Sequence, residues 1–564
     1  MSSHPSAQQD TLKSLRDVLG LLKSDKELSE LEPGYISNDL LGYIRESGSA
    51  SLFRKAVAGS TEVWSLLTEC YKLGQTRLLE YPNIIRTFNG IALLGRNLVS
   101  VDNVAFFAWD SGAVNSMFDL LQYLIVDTQQ EGNLSIKGVM TSDCSENSLF
   151  YEKFVMSCIQ FFANLSVQAS QDKTLSSNVL SLFIYNIPTE TFASLLNSFT
   201  SENSLPILIL LEGLIRNTPV NALRLYEEPN GQLFIKFIAK HADAWVSNKN
   251  DMCTNLAVEI MMHLLSFGLM PNFLEKFFLN PDFIEPEKTF DFVTLLIISI
   301  PSALESWTGG DSENFANDLG KQKSFFDTAF FIFKSIKEEA KPLIETYSTR
   351  DRSKDNKQYL NGIWETLVLF LDLFDNFLSS VFRQYEKNTR ETSTNSGNLF
   401  SYIIEDTDFL ESIIGLLHAA ESNLPKKSKL SELQRNDTNY GDDELNQSVK
   451  TKELLYDSSE FPLIKSKIIF LLGILTKDNT FVQNEIRRLH ALELILSNMI
   501  IDQNNPYIKE HSILTLSYVL KNNQENQDFI SKLEAQEVVT TKEIEDAGLE
   551  VKLVDGKVRL NKKD

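Results

Sequence analysis

The residues best suited to chemistry lie in one segment that combines a thiol, thioethers and an imidazole. Cys253, Met261, Met262 and His263 offer soft ligands of the kind that suit Cu(I). The spacing matches no known metal motif, since M-x-x-M, C-x-x-C and H-E-x-x-H do not occur in the sequence. Met261 also belongs to an apolar helical pattern, in which methionine is ordinary core filling. A buried helix is therefore favoured, and no metal or other cofactor is predicted.

Nucleophilic and acid–base catalysis leave no recognisable signature in the sequence. None of the six histidines adjoins a Cys or Ser in a known nucleophile motif, and G-x-S-x-G, the P-loop and G-x-G-x-x-G do not occur. A catalytic triad is assembled in space rather than in sequence, so this test is weak by itself. We nevertheless expect a protein that is not an enzyme.

The elements that would position any functional residue are predicted to be helices. Gly (24) and Pro (15) are both scarce in a chain of 564 residues, which favours helix over a turn-rich β architecture. Apolar residues recur at intervals of three and four, as in Leu12, Leu15, Leu19 and Leu22. In the range 359–383 they cover more than half of the helix circumference, as expected where neighbours cover a helix on two sides.

A helical repeat is visible near the C-terminus. An apolar run at 470–475 is followed by a polar turn and Gln483, and a similar run at 514–520 is followed by Gln527. The two glutamines are 44 residues apart, which lies within the period of armadillo and HEAT repeats. We predict an all-α fold, an armadillo-like α-solenoid of the ARM-type superhelix, in which each unit buries its apolar faces against the next.

Three asparagines, Asn97, Asn164 and Asn217, lie near the predicted ends of apolar helices upstream. Armadillo proteins can use an asparagine ladder to bind the backbone of an extended peptide. The competing interpretation is C-terminal capping, because Asn tolerates the left-handed conformation. Irregular spacing between the three asparagines favours capping.

Breaks in the apolar pattern divide the chain into four parts. Degenerate armadillo-like repeats are predicted for residues 1–421, and a flexible acidic and polar linker or insertion for 422–460. Residues 461–535 form a further helical region, and 536–564 a tail. Within the tail, 549–560 alternates apolar and charged residues around Asp-Gly, which predicts a short C-terminal β-hairpin. An isolated hairpin is marginal in water, so it should dock on the last helices or on a partner.

Charge and hydropathy restrict the class of partner. Lys+Arg is 53 and Asp+Glu is 76, so the formal net charge of −23 argues against nucleic acid and anionic membrane surfaces. No apolar stretch approaches the roughly twenty residues needed for membrane insertion. The four cysteines are far apart, and the first residues lack a signal-peptide pattern, which together favour a cytoplasmic location. A protein partner of unspecified identity remains, and homo-oligomerisation is left open.

One segment resembles a known family. The run 504–513, with its continuation through 530, and the stretch 461–472 are similar to the C-terminal homology region of the ataxin-10 family. The tail at 540–560 is similar to that of the fungal members. This resemblance implies an armadillo-like cytoplasmic protein without catalytic activity, associated with the regulation of cytokinesis.

The candidate partner-binding residues all lie in this segment: Asn505, Pro506, Lys509, Glu510, His511, Asn522 and Gln527. A structural interpretation of the Asn-Pro pair is favoured, because Asn before Pro starts a turn and Pro at the first helical position presets φ. Lys509 and Glu510 would then lie on the first turns of a helix. His511 is expected on its surface or in a groove.

The predicted function is a non-enzymatic scaffold for protein–protein interaction and, by the resemblance, a regulator of cytokinesis. One alternative is a transport adaptor whose acidic surface recognises basic cargo peptides. A regular Asn/Trp ladder would favour that adaptor, but the tryptophans are not in phase with the asparagines: Trp64, Trp109, Trp245, Trp307 and Trp364. A metal-handling protein is the less favoured alternative.

Overall fold

The computed structural model forms two compact units, unit 1 (residues 1–329) and unit 2 (residues 330–564). Most of the predicted linker falls outside the described residues, so the predicted domain bounds stay predictions. The structure describes residues 4–32, 34–125, 145–247, 252–280, 286–304, 315, 318–350, 356–391, 399–427, 457–533, 549–554 and 557–562.

Unit 1 is built from helices joined by short turns. Several begin at a serine or aspartate that accepts a hydrogen bond from the first turn, as Ser37, Ser60 and Asp172 do. The helices are α1 (His4–Leu22), α2 (Asp25–Ser29), α3 (Asn38–Ser49), α4 (Ser51–Ala58), α5 (Thr61–Glu80), α6 (Ile85–Val99), α7 (Ala105–Asp110), α8 (Ala113–Ile125), α9 (Ser145–Ala169), α10 (Lys173–Tyr185), α11 (Thr189–Asn197), α12 (Leu205–Ile215), α13 (Pro219–Glu227), α14 (Pro229–Ser247), α15 (Met252–Ser266), α16 (Met270–Leu279), α17 (Pro286–Leu304) and the first part of α18 (Leu319–Glu345).

Unit 2 continues the helical pattern and ends in two strands. Its helices after α18 are α19 (Lys357–Glu391), α20 (Leu399–Ser401), α21 (Phe409–Asn423), α22 (Ile464–Thr476), α23 (Thr480–Arg488), α24 (Ala491–Ser497), α25 (Ile508–Leu520) and α26 (Gln524–Lys532). Strands β1 (Leu549–Val554) and β2 (Lys557–Lys562) pair antiparallel, with Leu549 opposite Lys562.

The helices of each unit pack side by side in chain order. In unit 1, α3, α6, α9, α12, α15 and α17 form one continuous row, in which each helix contacts the next. In unit 2, α19, α22 and α25 form a comparable row. Each helix therefore buries apolar faces on two neighbours, as the dense apolar pattern of 359–383 predicts. The prediction of an all-α fold of stacked helices is confirmed at this level.

Phenylalanine rings build much of the unit 1 core. Phe183 is buried and contacts Phe118 and Phe162 edge to face, with ring centroids 5.4 and 5.2 Å apart. Phe192 and Phe234 extend the cluster with a centroid distance of 5.0 Å. These rings come from five helices, α8, α9, α10, α11 and α14, so one aromatic cluster joins successive repeats.

The 44-residue repeat of the C-terminal helices is confirmed by backbone conformation. Leu463 and Tyr507, 44 residues apart, have φ of 69° and 61° and directly precede α22 and α25. Asp478 and Asn522, also 44 residues apart, have φ of 55° and 54° and follow the same two helices. Positive φ is uncommon for residues other than glycine, so its recurrence at matched positions identifies two copies of one structural unit.

No single helix in the described part of the chain is long and apolar enough to cross a bilayer. Two bent pairs, α10 with α11 and α15 with α16, meet that test together by length and composition alone.

Candidate functional site

The turn at 502–507 places the first predicted site residue, Asn505, inside the fold. Its Oδ1 accepts hydrogen bonds from the backbone N–H groups of Lys465 (3.1 Å) and Ser466 (3.3 Å). These are two of the N–H groups at the start of α22 that have no partner within their own helix. Asn505 therefore caps α22 from a distant turn and is only 2% exposed, so its side chain is occupied by the fold.

A buried charge network lies beside this cap. Lys465 and Asp502 each have side chains only 1% exposed, and their charged atoms are 3.4 Å apart. Glu421 at the end of α21 approaches the same ammonium group at 3.5 Å and also pairs with Lys426. Asp502 Oδ1 accepts from the backbone N–H of Lys427 at 3.1 Å. The network thus ties the start of the predicted linker to the homology segment.

Acid is expected to destabilise unit 2 through Glu421. Burial alone would raise the pKa of Glu421, but hydrogen bonds from Lys426 and Ser497 and the charge of Lys465 outweigh it and lower that pKa below its usual value. A carboxylate with a lowered folded-state pKa contributes stability above its unfolded pKa and loses that contribution as pH falls through the folded pKa. The free energy of unfolding should decline below about pH 4.5, as measured by urea titration at several pH values.

The matched variant for this acid dependence is Glu421→Gln. Without the ionisable group, the decline of unfolding free energy between about pH 4.5 and pH 3 should be shallower than in the unaltered chain. Identical slopes for the two proteins would contradict the assignment of acid sensitivity to Glu421.

The predicted position of Pro506 is wrong by two residues. Helix α25 begins at Ile508, and Tyr507 precedes it with a left-handed backbone, so Pro506 shapes the turn instead of occupying the first helical position. Lys509 and Glu510 lie on the first turn of α25, as predicted, and both are exposed. Tyr507 is 72% exposed and projects from the same turn. At this turn the exposed side chains are therefore the predicted Lys509 and Glu510 and the unpredicted Tyr507.

A cavity of about 240 Å³ opens between α19, α22 and α25. Such a volume lies below the roughly 300–1,000 Å³ of pockets for drug-sized ligands, so it suits one or two side chains of a partner. The lining residues are Leu371, Asp372 and Asp375 from α19, Lys467 and Phe470 from α22, and His511 from α25.

His511 is partly buried and forms one wall of this cavity. Burial lowers its pKa, with a further contribution from the charge of Lys467, against opposing effects of the Ser466 carbonyl and Glu510. Its Nδ1 donates to the Ser466 carbonyl oxygen at 3.3 Å. Its ring lies 4.9 Å from that of Phe470 and 6.5 Å from that of Tyr507, measured between centroids.

The opposite wall carries two carboxylates. Asp372 forms an ion pair with Lys467. Burial raises the pKa of Asp375, and the nearby charge of Asp372 adds to that increase, while Ser379 and Lys467 oppose it. Ser379 donates to Asp375 at 3.2 Å. The cavity therefore combines an aromatic wall with carboxylates that a partner's side chain could engage, an arrangement suited to binding.

Sequence reasoning identified His511 but missed Asp372, Asp375 and Lys467 as its neighbours. Lys467 and His511 are 44 residues apart, so they occupy equivalent positions in the two repeats. The 44-residue repeat period could therefore have predicted that Lys467 and His511 lie close together. The aspartates lie in an apolar helix pattern, and the signal in the sequence was their separation by three residues, which places them on the same side of a helix.

The last two predicted residues lie away from the cavity lining. Asn522 is exposed and adopts the left-handed conformation between α25 and α26. Gln527 is exposed on α26, and its Nε2 donates to the Leu520 carbonyl oxygen at 2.8 Å. Both residues therefore shape the turn that follows α25.

The capping interpretation of the three upstream asparagines is wrong. None has a positive φ, and Asn97 and Asn164 lie inside α6 and α9. Their side-chain amides instead bond to backbone carbonyls of the preceding repeat, which joins neighbouring helices. The bonds run from Asn97 to Ile44 (3.3 Å), from Asn164 to Arg96 (2.9 Å) and from Asn217 to Ser170 (3.3 Å).

Cys253 and His263, two of the candidate metal ligands, lie in separate environments. His263 is buried and its Nε2 lies 3.2 Å from Oε1 of Glu212, while Cys253 Sγ lies 3.7 Å from the Ser204 hydroxyl. Arg216 forms two further bonds of 2.7 Å to Glu212. Within the described ranges, no group of three or more His, Cys, Asp or Glu side chains could hold a metal ion.

The tryptophans that the structure describes do not form an exposed ladder with the asparagines, and Trp109 is half-buried. Trp64, Trp245 and Trp364 are buried, and their indole N–H groups donate to backbone carbonyls. Trp307 lies outside the described residues.

Comparison with known proteins places this segment in a family. The spinocerebellar ataxia type 10 protein domain matches residues 464–561, which run from the start of α22 into β2. The Ataxin-10 homolog of Debaryomyces hansenii is 24% identical over 98% of this chain and 96% of its own length. That of Kluyveromyces lactis is 25% identical over 89% of this chain and 88% of its own. The chain is thus similar to the ataxin-10 family, with one segment that matches the family domain and lower identity along nearly its whole length. The predicted resemblance is confirmed.

Similarity within the ataxin-10 family is uneven along the chain. The Ataxin-10 homolog of Saccharomyces cerevisiae is 44% identical, but only over 21% of this chain and 21% of its own length. Among solved structures, a circular tandem repeat protein aligns with 92% of this chain and 99% of its own at 13% identity and a TM-score of 0.23. That score is too low for a conclusion about fold.

Proposed function

We propose that this protein is a non-enzymatic armadillo-like scaffold that binds a protein partner at the α19/α22/α25 cavity. The observation that carries the proposal is the convergence of repeat-equivalent residues, Lys467 and His511, on one cavity beside Asp372 and Asp375. Rows of stacked helices commonly present partner-binding surfaces of this kind. The exposed Tyr507 at the edge adds the large, rigid contact area typical of interface hot spots.

The finer parts of the proposal rest on similarity to the ataxin-10 family. We infer an ARM-type superhelix, with the hairpin at 549–560 closing its C-terminal end. We also infer a cytoplasmic location and a role in the regulation of cytokinesis. Similarity to the ataxin-10 family supports the cytoplasmic location and the cytokinesis role, and the acidic net charge of −23 supports protein rather than nucleic acid as the partner.

Affinity purification from native cytosol, with the full chain immobilised, tests the scaffold. Proteins bound at the cavity should be depleted at least about tenfold by a Tyr507→Ala, Asp375→Asn double variant, because hot-spot truncations commonly cost more than 1 kcal/mol each. Removing the chain from Phe461 onward would be a poor test, since Trp364 on α19 donates to the Pro462 carbonyl and would lose its partner.

The matched control for the purification is His490→Ala, which alters a side chain 74% exposed elsewhere in unit 2. Equal recovery of every protein by the cavity variant and the control would contradict binding at this cavity. Recovery of no specific protein by the unaltered chain would contradict the scaffold itself.

A second candidate is an adaptor for basic cargo peptides, which the two cavity carboxylates favour. An arginine or lysine side chain could approach Asp372 and Asp375 while packing on Phe470. The absence of an exposed tryptophan ladder among the described residues counts against a conventional cargo groove. If the protein is such an adaptor, the proteins that the cavity variant fails to recover should share a basic segment. A synthetic peptide of that segment should compete with those proteins for binding to the unaltered chain.

A further inference from the structure

Three cations lie on the adjacent helices α6 and α9 of unit 1, in a chain that is otherwise strongly acidic, and define the α6/α9 surface. The Arg86 guanidinium lies 5.3 Å and the Lys153 ammonium 5.4 Å from the centroid of the same ring, that of Phe150. Arg96 lies ten residues further along α6. None of the three cations forms an ion pair in the described part of the chain.

Arg96 is held in a fixed direction by neutral groups alone. Its Nε and one terminal nitrogen donate to Asn97 Oδ1 at 3.1 and 2.8 Å, and the other terminal nitrogen donates to Gln160 Oε1 at 2.6 Å. Burial lowers its pKa, as expected for a charge that leaves water without a carboxylate partner. A guanidinium carries five N–H donors, so two remain for a ligand.

Arg86 and Lys153, the two cations at Phe150, also favour an anionic ligand. Both charges lie within about 11 Å of each other across one ring, and no carboxylate neutralises them among the described ion pairs. Like charges at this distance repel, although solvent weakens the effect. An anion that contacts both cations from the solvent side would reduce that repulsion.

Acidic residues on the same and adjoining helices form no described ion pair with Arg86, Lys153 or Arg96. Glu152 on α9 is exposed, as are Asp39 and Glu46 on the adjoining helix α3. Glu212 on α12 is engaged by Arg216 and His263. These three cations therefore lack a described carboxylate partner in a chain whose net charge is −23.

We propose that the α6/α9 surface binds an extended acidic segment of a partner protein, with one carboxylate at Arg86 and Lys153 and a second at Arg96. The rise of an α-helix puts Arg86 and Arg96 about 15 Å apart. An extended peptide advances about 3.3 Å per residue, so the two acidic side chains should be four or five residues apart. Gln160 and Asn164 on α9 are half-buried. Since Gln160 Oε1 and Asn164 Nδ2 are engaged with Arg96, the Gln160 Nε2 and Asn164 Oδ1 atoms are the groups that can bond to the peptide backbone.

Selection from a phage library of random peptides, about twelve residues long, on the full chain tests this spacing. We expect selected sequences to be enriched in Asp or Glu pairs separated by four or five residues. The dissociation constant of a selected peptide, measured by fluorescence anisotropy, should rise at least about tenfold in an Arg86→Gln, Arg96→Gln double variant, because two charge-assisted hydrogen-bonding groups are lost.

Three controls make the outcome specific. Lys173→Gln removes an exposed cation on α10 and should leave the dissociation constant unchanged. Arg86→Gln alone should weaken binding even if Arg96→Gln disturbs the contact between α6 and α9. Asp375→Asn in unit 2 should have no effect on this peptide, which separates the present proposal from the scaffold cavity.

Several results would overturn the proposal. Selected peptides without acidic pairs, or a dissociation constant unchanged by the double variant, would exclude the site. Tighter binding of a single-stranded RNA oligonucleotide with the same dependence on Arg86 and Arg96 would show that the surface takes a phosphate backbone instead.

Discussion

Replacing Asp502 by alanine is expected to lower the free energy of unfolding of unit 2 by about 3–5 kcal/mol. The change leaves the ammonium group of Lys465, whose side chain is 1% exposed, with only Glu421 as a charged partner at 3.5 Å. It also removes the acceptor for the Asn505 amide (2.9 Å) and for the Lys427 backbone N–H (3.1 Å). Buried donors left without a partner lose their hydration without compensation.

Hydrogen exchange of the α22 amides measures this effect locally, which suits a chain of two units. The control is Lys521→Ala, which breaks an ion pair to Asp478 whose side chains are 51% and 55% exposed. Exposed pairs contribute about 0–1 kcal/mol, so protection of α22 should barely change in this control. Equal protection in Asp502→Ala and Lys521→Ala would show that the buried network is not what holds the homology segment together.

Phe183→Ala is expected to cost unit 1 about 3–5 kcal/mol. The ring is 1% exposed and contacts Phe118, Phe162 and Phe192, so its removal leaves a cavity bounded by three other rings. Because these rings come from different helices, the cavity cannot be filled by a shift of one side chain. Amides of α9 and α10 should lose hydrogen-exchange protection.

The matched control for this aromatic cluster is Phe106→Ala, since Phe106 is 61% exposed. We expect a change below about 1 kcal/mol, because little apolar surface is returned to water. A comparable loss for both variants would mean that the cluster does not carry the stability of these repeats.

Helix type and repeat period were accessible from sequence because both depend on residues close together in the chain. The spacing of Leu12, Leu15, Leu19 and Leu22 follows the helical turn, and all four side chains are buried on α1. The 44-residue period appeared in Gln483 and Gln527 because each copy must form the same turn after the same helix.

Assignments to individual side chains succeeded less often, because a side chain's role depends on what packs against it. Asn505 was placed correctly in a turn, but its part in capping α22 required knowledge of a contact across 40 residues. Asn97, Asn164 and Asn217 resembled helix caps, yet each bonds to the repeat before it. An asparagine can cap its own helix or bond to a neighbouring repeat, so the residue type alone does not decide between these two roles.

The sequence by itself determined that this protein is a stack of helices with an acidic net charge and an ataxin-10-type C-terminal segment. Local periodicity, composition and a long motif are properties of residues that are neighbours in the chain. They can therefore be recognised without knowledge of the fold. Only the tertiary structure decided which charges meet. Lys467 reaches Asp372 across 95 residues, and Arg96 reaches Gln160 across 64, because stacking brings distant helices side by side.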